Sequence, residues 1–274
     1  MICLICKSEM SYFFAKNYDE QPFKEMMKDI GEVIYCKCQN CGFTMSKTHS
    51  ELDEVAWEGL NYKFHHYLEN TETEINQPPY LEQGLLLKVL SKHKIIDTGS
   101  VLDYAGGYGS LSKVLKTYFE INLPIYDPYI QDNSDVEYVE KNNLKTYKTV
   151  INSALFEHLL TRESFDAINS LVAESEGAMM IHTLVCENLP KDPNWFYLEP
   201  PVHTTFHTNK SMQLLMKQWG YDASIYCFSA KSWILLKDAS LETKNKVELI
   251  NKELQTEYLI YKEGFVDYWK GFDN

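Results

Sequence analysis

The chain has 274 residues, 45% of them apolar and 24% charged, which excludes a disordered chain or a coiled coil and suffices for a buried core without disulfide staples. Asp and Glu number 39 against 26 Lys and Arg, and a formal charge of −13 excludes a general binder of phosphate backbones, though not of a small anion held by local cations. At about 150 residues per domain, this length implies one large domain plus something small. No stretch reaches about 18 apolar residues, and the N-terminus lacks the basic and long apolar segments of a signal peptide. The expectation is therefore a cytoplasmic protein with reduced thiols and no membrane partner.

Five of the seven cysteines fall within the first 41 residues. Cys3-Leu-Ile-Cys6 and Cys38-Gln-Asn-Cys41 are two C-x-x-C pairs, a spacing that lets a tight turn aim two thiolates at one metal about 2.3 Å away. Gly42 directly after Cys41 permits the positive φ such a turn needs. The pairs predict a closed four-sulfur zinc site with a folding role, against the alternatives of free cysteines or a redox dithiol. Cys36 stands as an alternative ligand to Cys38. Tyr12–Phe14 and Val33–Tyr35 between the pairs read as short strands. Cys186 and Cys227 read as buried small apolar residues.

Residues 51–75 are acidic and aromatic with helical spacing. After Pro78 and Pro79, Leu81, Leu85, Leu86, Val89 and Leu90 recur at helical intervals, which predicts an amphipathic helix over about 80–93. Strands are predicted over 100–104, 123–127, 147–153, 178–184 and 224–236, and helices over 110–118, 161–173 and 209–219. Residues 128–146 are polar and give no clear pattern. In the tail, Val247, Ile250, Leu254, Tyr258 and Tyr261 form one helical stripe. Alternating strands and helices imply an α/β fold, a mostly parallel sheet with helices on both faces.

Asp103-Tyr-Ala-Gly-Gly-Tyr-Gly109 lies between a strand and a helix, where small residues let the backbone approach a ligand. Asp127, at the end of the next strand, can bind both hydroxyls of a ribose. A dinucleotide fingerprint would continue from Gly107 and Gly109 to a third glycine, but that position is Ser112. There is no P-loop lysine. A ligand with a ribose and no pyrophosphate fits better.

These residues resemble the first motif of the class I S-adenosylmethionine-dependent methyltransferases, with Asp103, Ala105, Gly107 and Gly109 in its places and Ala105 standing for the first glycine. Asp127 resembles the family's ribose acid. Asn152-Ser-Ala-Leu-Phe-Glu-His158 resembles the segment after the fourth strand, and Gly177 also matches. Residues 194–208, with the helix after them and Trp219-Gly-Tyr221, resemble a narrower subgroup carrying an N-terminal zinc-binding module and found in bacterial sugar and capsular-polysaccharide pathways. The resemblance implies a Rossmann-like doubly wound sheet, S-adenosylmethionine and a structural zinc ion. It divides the chain into a zinc module (1–46), a helical lid or linker (47–98), a cofactor-binding methyltransferase domain (99–238) and a C-terminal helix (239–274). Cofactor contacts fall to Asp103, Tyr104, Ala105, Gly106, Gly107, Gly109, Asp127, Pro128, Tyr129, Asn152 and Ser153, and metal ligation to Cys3, Cys6, Cys38 and Cys41.

Methyl transfer is an in-line displacement at a sulfonium carbon, so positioning supplies much of the rate, and an oxygen or nitrogen acceptor can also need a base. His203, in the loop after the fifth strand of the cofactor domain, is a candidate base or substrate ligand, and equally a structural histidine. His158 and Glu157 follow the fourth strand. His207, four residues after His203, permits a metal pair that nothing else in the sequence completes. Tyr62, Phe64, His65 and His66 resemble an aromatic entry helix over the cofactor, with plain core packing as the alternative; Tyr108 and Tyr129 adjoin it. The resemblance implies a small-molecule acceptor, first of all a hydroxyl on a nucleotide-linked sugar or a capsule substituent such as a phosphoramidate. C- or N-methylation, and a non-catalytic binding protein on a degenerate fold, are the alternatives. No nucleic-acid partner is expected, and the oligomeric state is open.

Overall fold

The structure, a computed structural model, describes residues 1–70, 78–130 and 135–267, so the end of the acidic 51–75 stretch lies outside the described residues. The elements run β1 (Met10–Lys16), α1 (Phe23–Met27), β2 (Val33–Cys38), β3 (Thr44–Ser46), α2 (Lys47–Ser50), α3 (Glu54–Asn70), α4 (Tyr80–Lys92), β4 (Val101–Tyr104) and α5 (Ser110–Val114). They continue as β5 (Ile125–Tyr126), β6 (Thr149–Ser153), α6 (Arg162–Ser170), β7 (Ala178–His182), β8 (Thr205–Phe206), α7 (Asn209–Gln218), β9 (Ala223–Cys227), β10 (Ser232–Leu236), α8 (Leu241–Leu254) and β11 (Leu259–Glu263).

Seven strands form one sheet in the order β11-β9-β10-β7-β6-β4-β5. Pairings from β5 to β7 are parallel, and those from β7 through β10 and β9 to β11 are antiparallel. Successive residues point to opposite faces of a strand. Val150, Met179, Ile181, Trp233 and Leu235 accordingly pack with α6 and α7, while Ile151, Ala178, Met180 and Ile234 pack with α4, α5 and α8. Burial on both faces explains the near-continuous apolar runs of these strands. The fold is the expected Rossmann-like α/β sheet.

Two local expectations are corrected. Residues 224–236 are a hairpin of β9 and β10, turning through Phe228–Lys231 with Lys231 at φ 48°. No glycine or proline announces that turn, but a 13-residue strand would exceed the usual span of about 3–10 residues. The tail is not one helix either. α8 ends at Gln255, which takes φ 52°, and Tyr261 lies on β11 at the sheet edge, paired with β9. Only Val247 and Ile250 of the predicted stripe are buried on the helix.

A second sheet, β1-β2-β3-β8, is antiparallel throughout. Its first three strands come from the N-terminal 46 residues, and its fourth from residues 205–206, beyond β7. Thr44 pairs with Phe206 and Met45 with Thr205. The cysteine-bearing segment is thereby built into the loop that follows β7.

Candidate functional site

The parallel strands bring their carboxyl ends to one side of the sheet, with Tyr104 level with Tyr126 and Ser153 level with His182. Ligands of open α/β sheets dock outside such carboxyl ends. The ends of these strands and the loops that leave them carry the residues expected to bind the cofactor, and Glu157, His158 and His203.

On one side lies the glycine turn. Ala105, Gly107 and Gly109 all have positive φ, at 60°, 55° and 77°. Glycine adopts that conformation freely; alanine pays about 1–2 kcal/mol for it. A Cβ on Gly107 would meet nothing within 4 Å, so the turn leaves open space there, whereas one on Gly109 would lie 2.6 Å from Val136 Cγ1. Beneath the turn, a Cβ on Gly106 would lie 2.7 Å from Asp103 Oδ2. Burial, reinforced by the charge of Asp127, pushes the Asp103 carboxyl up to about 8. Asp127 ties the two loops together: Oδ2 accepts from Gly107 N at 2.9 Å and Oδ1 from Tyr129 N at 2.8 Å and Ile130 N at 3.0 Å. Tyr104 packs against Tyr126 with tilted rings whose centroids are 5.1 Å apart, and Tyr129 beyond Pro128 is exposed.

Asn152 and Ser153 close this side from β6. Ser153 Oγ donates to Gln83 Oε1 at 3.1 Å, while Asn152 Oδ1 and Gln83 Nε2 are buried without a partner. Gln83 escaped the sequence reading. Its signal was available: it occupies the apolar stripe it shares with Leu86, Leu87 and Leu90, where a leucine would be expected.

On the other side, Glu157, His158 and His203 come together, with one ligand atom from each within 4.8 Å of the others. The His158 and His203 rings meet edge to face at 5.3 Å, and His65 of α3 lies 5.6 Å from His158. His203 Nδ1 lies 2.8 Å from the Tyr197 carbonyl, so that nitrogen carries the proton and Nε2 keeps its lone pair. Burial lowers His203 to about 4 and holds His158 well below the usual imidazole range. Glu157 accepts from Thr183 Oγ1 and Tyr197 Oη, each at 2.8 Å; burial raises it above the usual carboxylate range. Thr183 and Tyr197 carried no sequence signal, because neither spacing nor motif links them to Glu157.

The predicted entry-helix residues divide. Phe64 is buried against Phe23, and His65 faces His158, whereas Tyr62 and His66 stack on each other and Tyr62 is exposed. The charges of Glu58 and Glu54 on the same helix reach Tyr129, so α3 spans both sides of the site. His207 is not part of it: the ring sits among Phe43, Phe156 and Phe165 in the core.

The four cysteines of the C-x-x-C pairs also converge. Sγ atoms of Cys3 and Cys41 are 3.6 Å apart, and those of Cys6 and Cys38 are 3.4 Å apart. A tetrahedron with bonds of about 2.3 Å has edges of about 3.8 Å, so the four sulfurs suit one zinc-sized ion. Backbone N–H groups of Ile5 and Cys6 face Cys3, and those of Asn40 and Cys41 face Cys38, as thiolates require. Cys36 lies outside the cluster.

This cluster rests on the cofactor domain. Arg162 of α6 donates to the Leu4 carbonyl, Gln218 of α7 to that of Ile5, and Thr208 to that of Cys41. Tyr35 Oη donates to the His203 carbonyl at 3.0 Å, and Thr204 N donates to the Glu157 carbonyl at 2.7 Å. The segment holding His203 is thus gripped by the N-terminal sheet on one side and the Glu157 turn on the other.

No helix among the described residues is long and apolar enough to cross a membrane. No curated protein matches the chain. Among solved structures it is similar to the magnesium protoporphyrin IX methyltransferase of Synechocystis with bound S-adenosylmethionine, at 13% identity and a TM-score of 0.43, covering 68% of this chain and 98% of that one. A plantazolicin methyltransferase in complex with S-adenosylhomocysteine and a monoazolic substrate analogue is 11% identical, with a TM-score of 0.45 over 78% of this chain and 93% of that one. Streptomyces venezuelae DesVI is 12% identical, with a TM-score of 0.40 over 68% and 99%. A sequence profile described as a methyltransferase domain matches residues 76–224, more than half of the chain, from α4 through the glycine turn and the Glu157 cluster to β9. The chain belongs to this methyltransferase family.

Proposed function

We propose that the chain transfers the methyl group of S-adenosylmethionine to a small-molecule acceptor, and that the acceptor is a hydroxyl on a precursor of a surface glycan, first of all a nucleotide-linked sugar. One observation carries the reading: the glycine turn with Asp127 and the Glu157–His158–His203 cluster follow neighbouring parallel strands, and His65 of α3 feels the charges of both Asp127 and His203.

The residues fit the cofactor. Gly107 leaves room for a ligand against the backbone, Asp127 stands at the turn as the acid for a ribose, and the orphaned Asn152 Oδ1 and Gln83 Nε2 await polar partners. Bound there, S-adenosylmethionine supplies an electrophilic methyl group on a sulfonium. Asp103, Tyr104, Ala105, Gly106, Gly109, Pro128, Tyr129 and Ser153 complete the proposed cofactor wall. On the acceptor side, His203, lowered to about 4, and His158, held well below the usual imidazole range, are weak bases but keep a lone pair throughout the neutral range, so we assign them to holding the acceptor oxygen rather than to strong base catalysis. Glu157 fixes the geometry through Tyr197 and Thr183. α3 closes the site and excludes water.

Cys3, Cys6, Cys38 and Cys41 would hold zinc, whose contribution is structural. The zinc-bearing unit in this reading is residues 1–46 together with β8, followed by a helical lid (47–98) and the cofactor domain. A cytoplasmic setting suits reduced thiols. The glycan assignment is supported only by the resemblance of residues 194–208 to a subgroup of such enzymes. Calorimetry with S-adenosylmethionine tests the first half: the expected result is binding, and binding of NAD instead would overturn it. Turnover to S-adenosylhomocysteine with a panel of nucleotide sugars tests the second, and persistent absence of turnover would favour a non-catalytic binding protein.

A further inference from the structure

Glu157 is a buried carboxylate whose partners, Thr183 and Tyr197, are both neutral hydroxyls. Among the described residues no lysine or arginine forms an ion pair with it, nor a hydrogen bond with His158 or His203. Buried charges are ordinarily paired or bound to a metal. Two more lone pairs face the same point. His203 has its Nδ1 engaged on the Tyr197 carbonyl, which leaves Nε2 as the ligand atom, and His158 Nδ1 is buried with no hydrogen-bond partner. A backbone carbonyl on the far nitrogen is the arrangement that orients metal-binding histidines.

The geometry points to a second metal site, separate from the four cysteines: Glu157, His158 and His203 bind one first-row divalent cation, with an open position for the acceptor oxygen. The inference rests on the reading that this cluster faces the acceptor. Neighbouring nitrogen or oxygen ligands of a tetrahedral ion, with bonds of about 2.1 Å, stand about 3.4 Å apart. The three ligand atoms already lie within 4.8 Å of one another, so the side chains must close by up to about 1.4 Å. Glu157 is fully enclosed while both histidines are partly exposed, so the ion has a way in from the acceptor side and solvent can fill its remaining positions. Two imidazoles and a carboxylate suit zinc, cobalt, iron or manganese rather than calcium or magnesium. The cation would also supply the positive charge this wall lacks, which an acceptor oxygen or phosphate would need.

The test is a cobalt(II) titration of the full-length protein whose cysteine site is already loaded with zinc. The expected result is one further equivalent, with an absorption spectrum lacking thiolate charge-transfer bands. Glu157→Gln and His203→Asn should each weaken that equivalent at least tenfold while leaving the cysteine-bound zinc and the affinity for S-adenosylmethionine in place, which shows that the variants fold. No second equivalent, with or without S-adenosylmethionine, would overturn the site, as would a second equivalent indifferent to both substitutions. Failure to bind S-adenosylmethionine would overturn the methyltransferase reading instead, and leave the cobalt result to stand by itself.

Discussion

The two sides of the site are built in different ways. The cofactor side is assembled from short contiguous segments at the ends of neighbouring strands: Asp103–Gly109 after β4, Asp127–Tyr129 after β5, Asn152–Ser153 on β6. Each is positioned by its own strand. The acceptor side shares that support only in part: Glu157 and His158 follow β6 directly, but His203 does not. His203 sits in a long excursion between β7 and α7, and its place depends on β8 pairing with β3 of the N-terminal sheet, on Tyr35 holding its carbonyl, and on Thr204 holding Glu157. One side is local and sheet-borne; the other is long-range and depends on the cysteine cluster. Damage to the N-terminal sheet should therefore separate acceptor turnover from cofactor binding.

The largest expected effect is that of Cys41→Ser or of zinc removal. A structural zinc site contributes several kcal/mol or more to folding, and its loss should unfold the N-terminal sheet and release the His203 segment. Turnover should fall by at least about 10²-fold, as expected when reacting groups are misplaced by about 1 Å. S-adenosylmethionine affinity should change far less, because none of the proposed cofactor contacts lies in that sheet. Parallel calorimetry and turnover measurements check this. Equal losses in the two would show that the sides are not separable.

Gly109→Ala is the counterpart on the cofactor side. Its φ of 77° costs about 1–2 kcal/mol for any residue with a Cβ, and overpacking against Val136 and Ile125 adds about 1–3 kcal/mol. Cofactor affinity should fall roughly 10- to 100-fold, with the cysteine-bound metal retained.

The same division governs what was legible in the sequence. Asp103, Gly107, Gly109 and Asp127 could be read because spacing along the chain sets their spacing in space. The two C-x-x-C pairs could be read for the same reason, and convergence selects Cys38 over Cys36 only once β2 is folded. Tyr197, Thr183 and the β3–β8 pairing could not be read, since these contacts join segments tens to more than a hundred residues apart and leave no period. The β9–β10 turn was missed because Phe228–Lys231 contains neither glycine nor proline and only one weak turn residue, Ser229. Glu157 and His158 were visible through resemblance, but their convergence with His203 required the fold.

The third effect is pH dependence confined to the cofactor side. With Asp103 pushed up to about 8, its carboxyl is mostly protonated at neutral pH. A cationic ligand above it favours the carboxylate, so binding should release a proton. Affinity for S-adenosylmethionine should rise as pH increases toward 8, by up to tenfold per unit, and level off above it. Calorimetry in buffers of different ionisation enthalpy measures the proton released; a flat profile would place the cation away from Asp103.

A smaller loss, on the acceptor side alone, is expected from Tyr197→Phe. It removes one hydrogen bond to a buried carboxylate, worth about 1.5–3 kcal/mol. The change should lower kcat/KM for the acceptor by roughly tenfold to a hundredfold and leave cofactor affinity unaltered. A change in cofactor affinity instead would mean that Glu157 serves the cofactor side.

Ala105→Gly should have the smallest effect and the opposite sign. The resemblance places a glycine here, and the structure explains the preference: Ala105 holds φ 60° between the end of β4 and the open turn. Relief of the left-handed strain favours the variant by about 1–2 kcal/mol, while the extra freedom glycine gives the unfolded chain costs about 0.4–1 kcal/mol. The net is a gain of about 0–1.6 kcal/mol, readable as a rise of up to a few degrees in Tm. Cofactor affinity need not follow. Ala105 N is held by the Tyr126 carbonyl at 2.7 Å, which already fixes the turn in the shape it needs, and a glycine there would loosen what alanine stiffens. A more stable protein that binds S-adenosylmethionine no better, or slightly worse, would show that alanine keeps the turn preorganised at the expense of stability. A gain in both would show that the strain is merely tolerated.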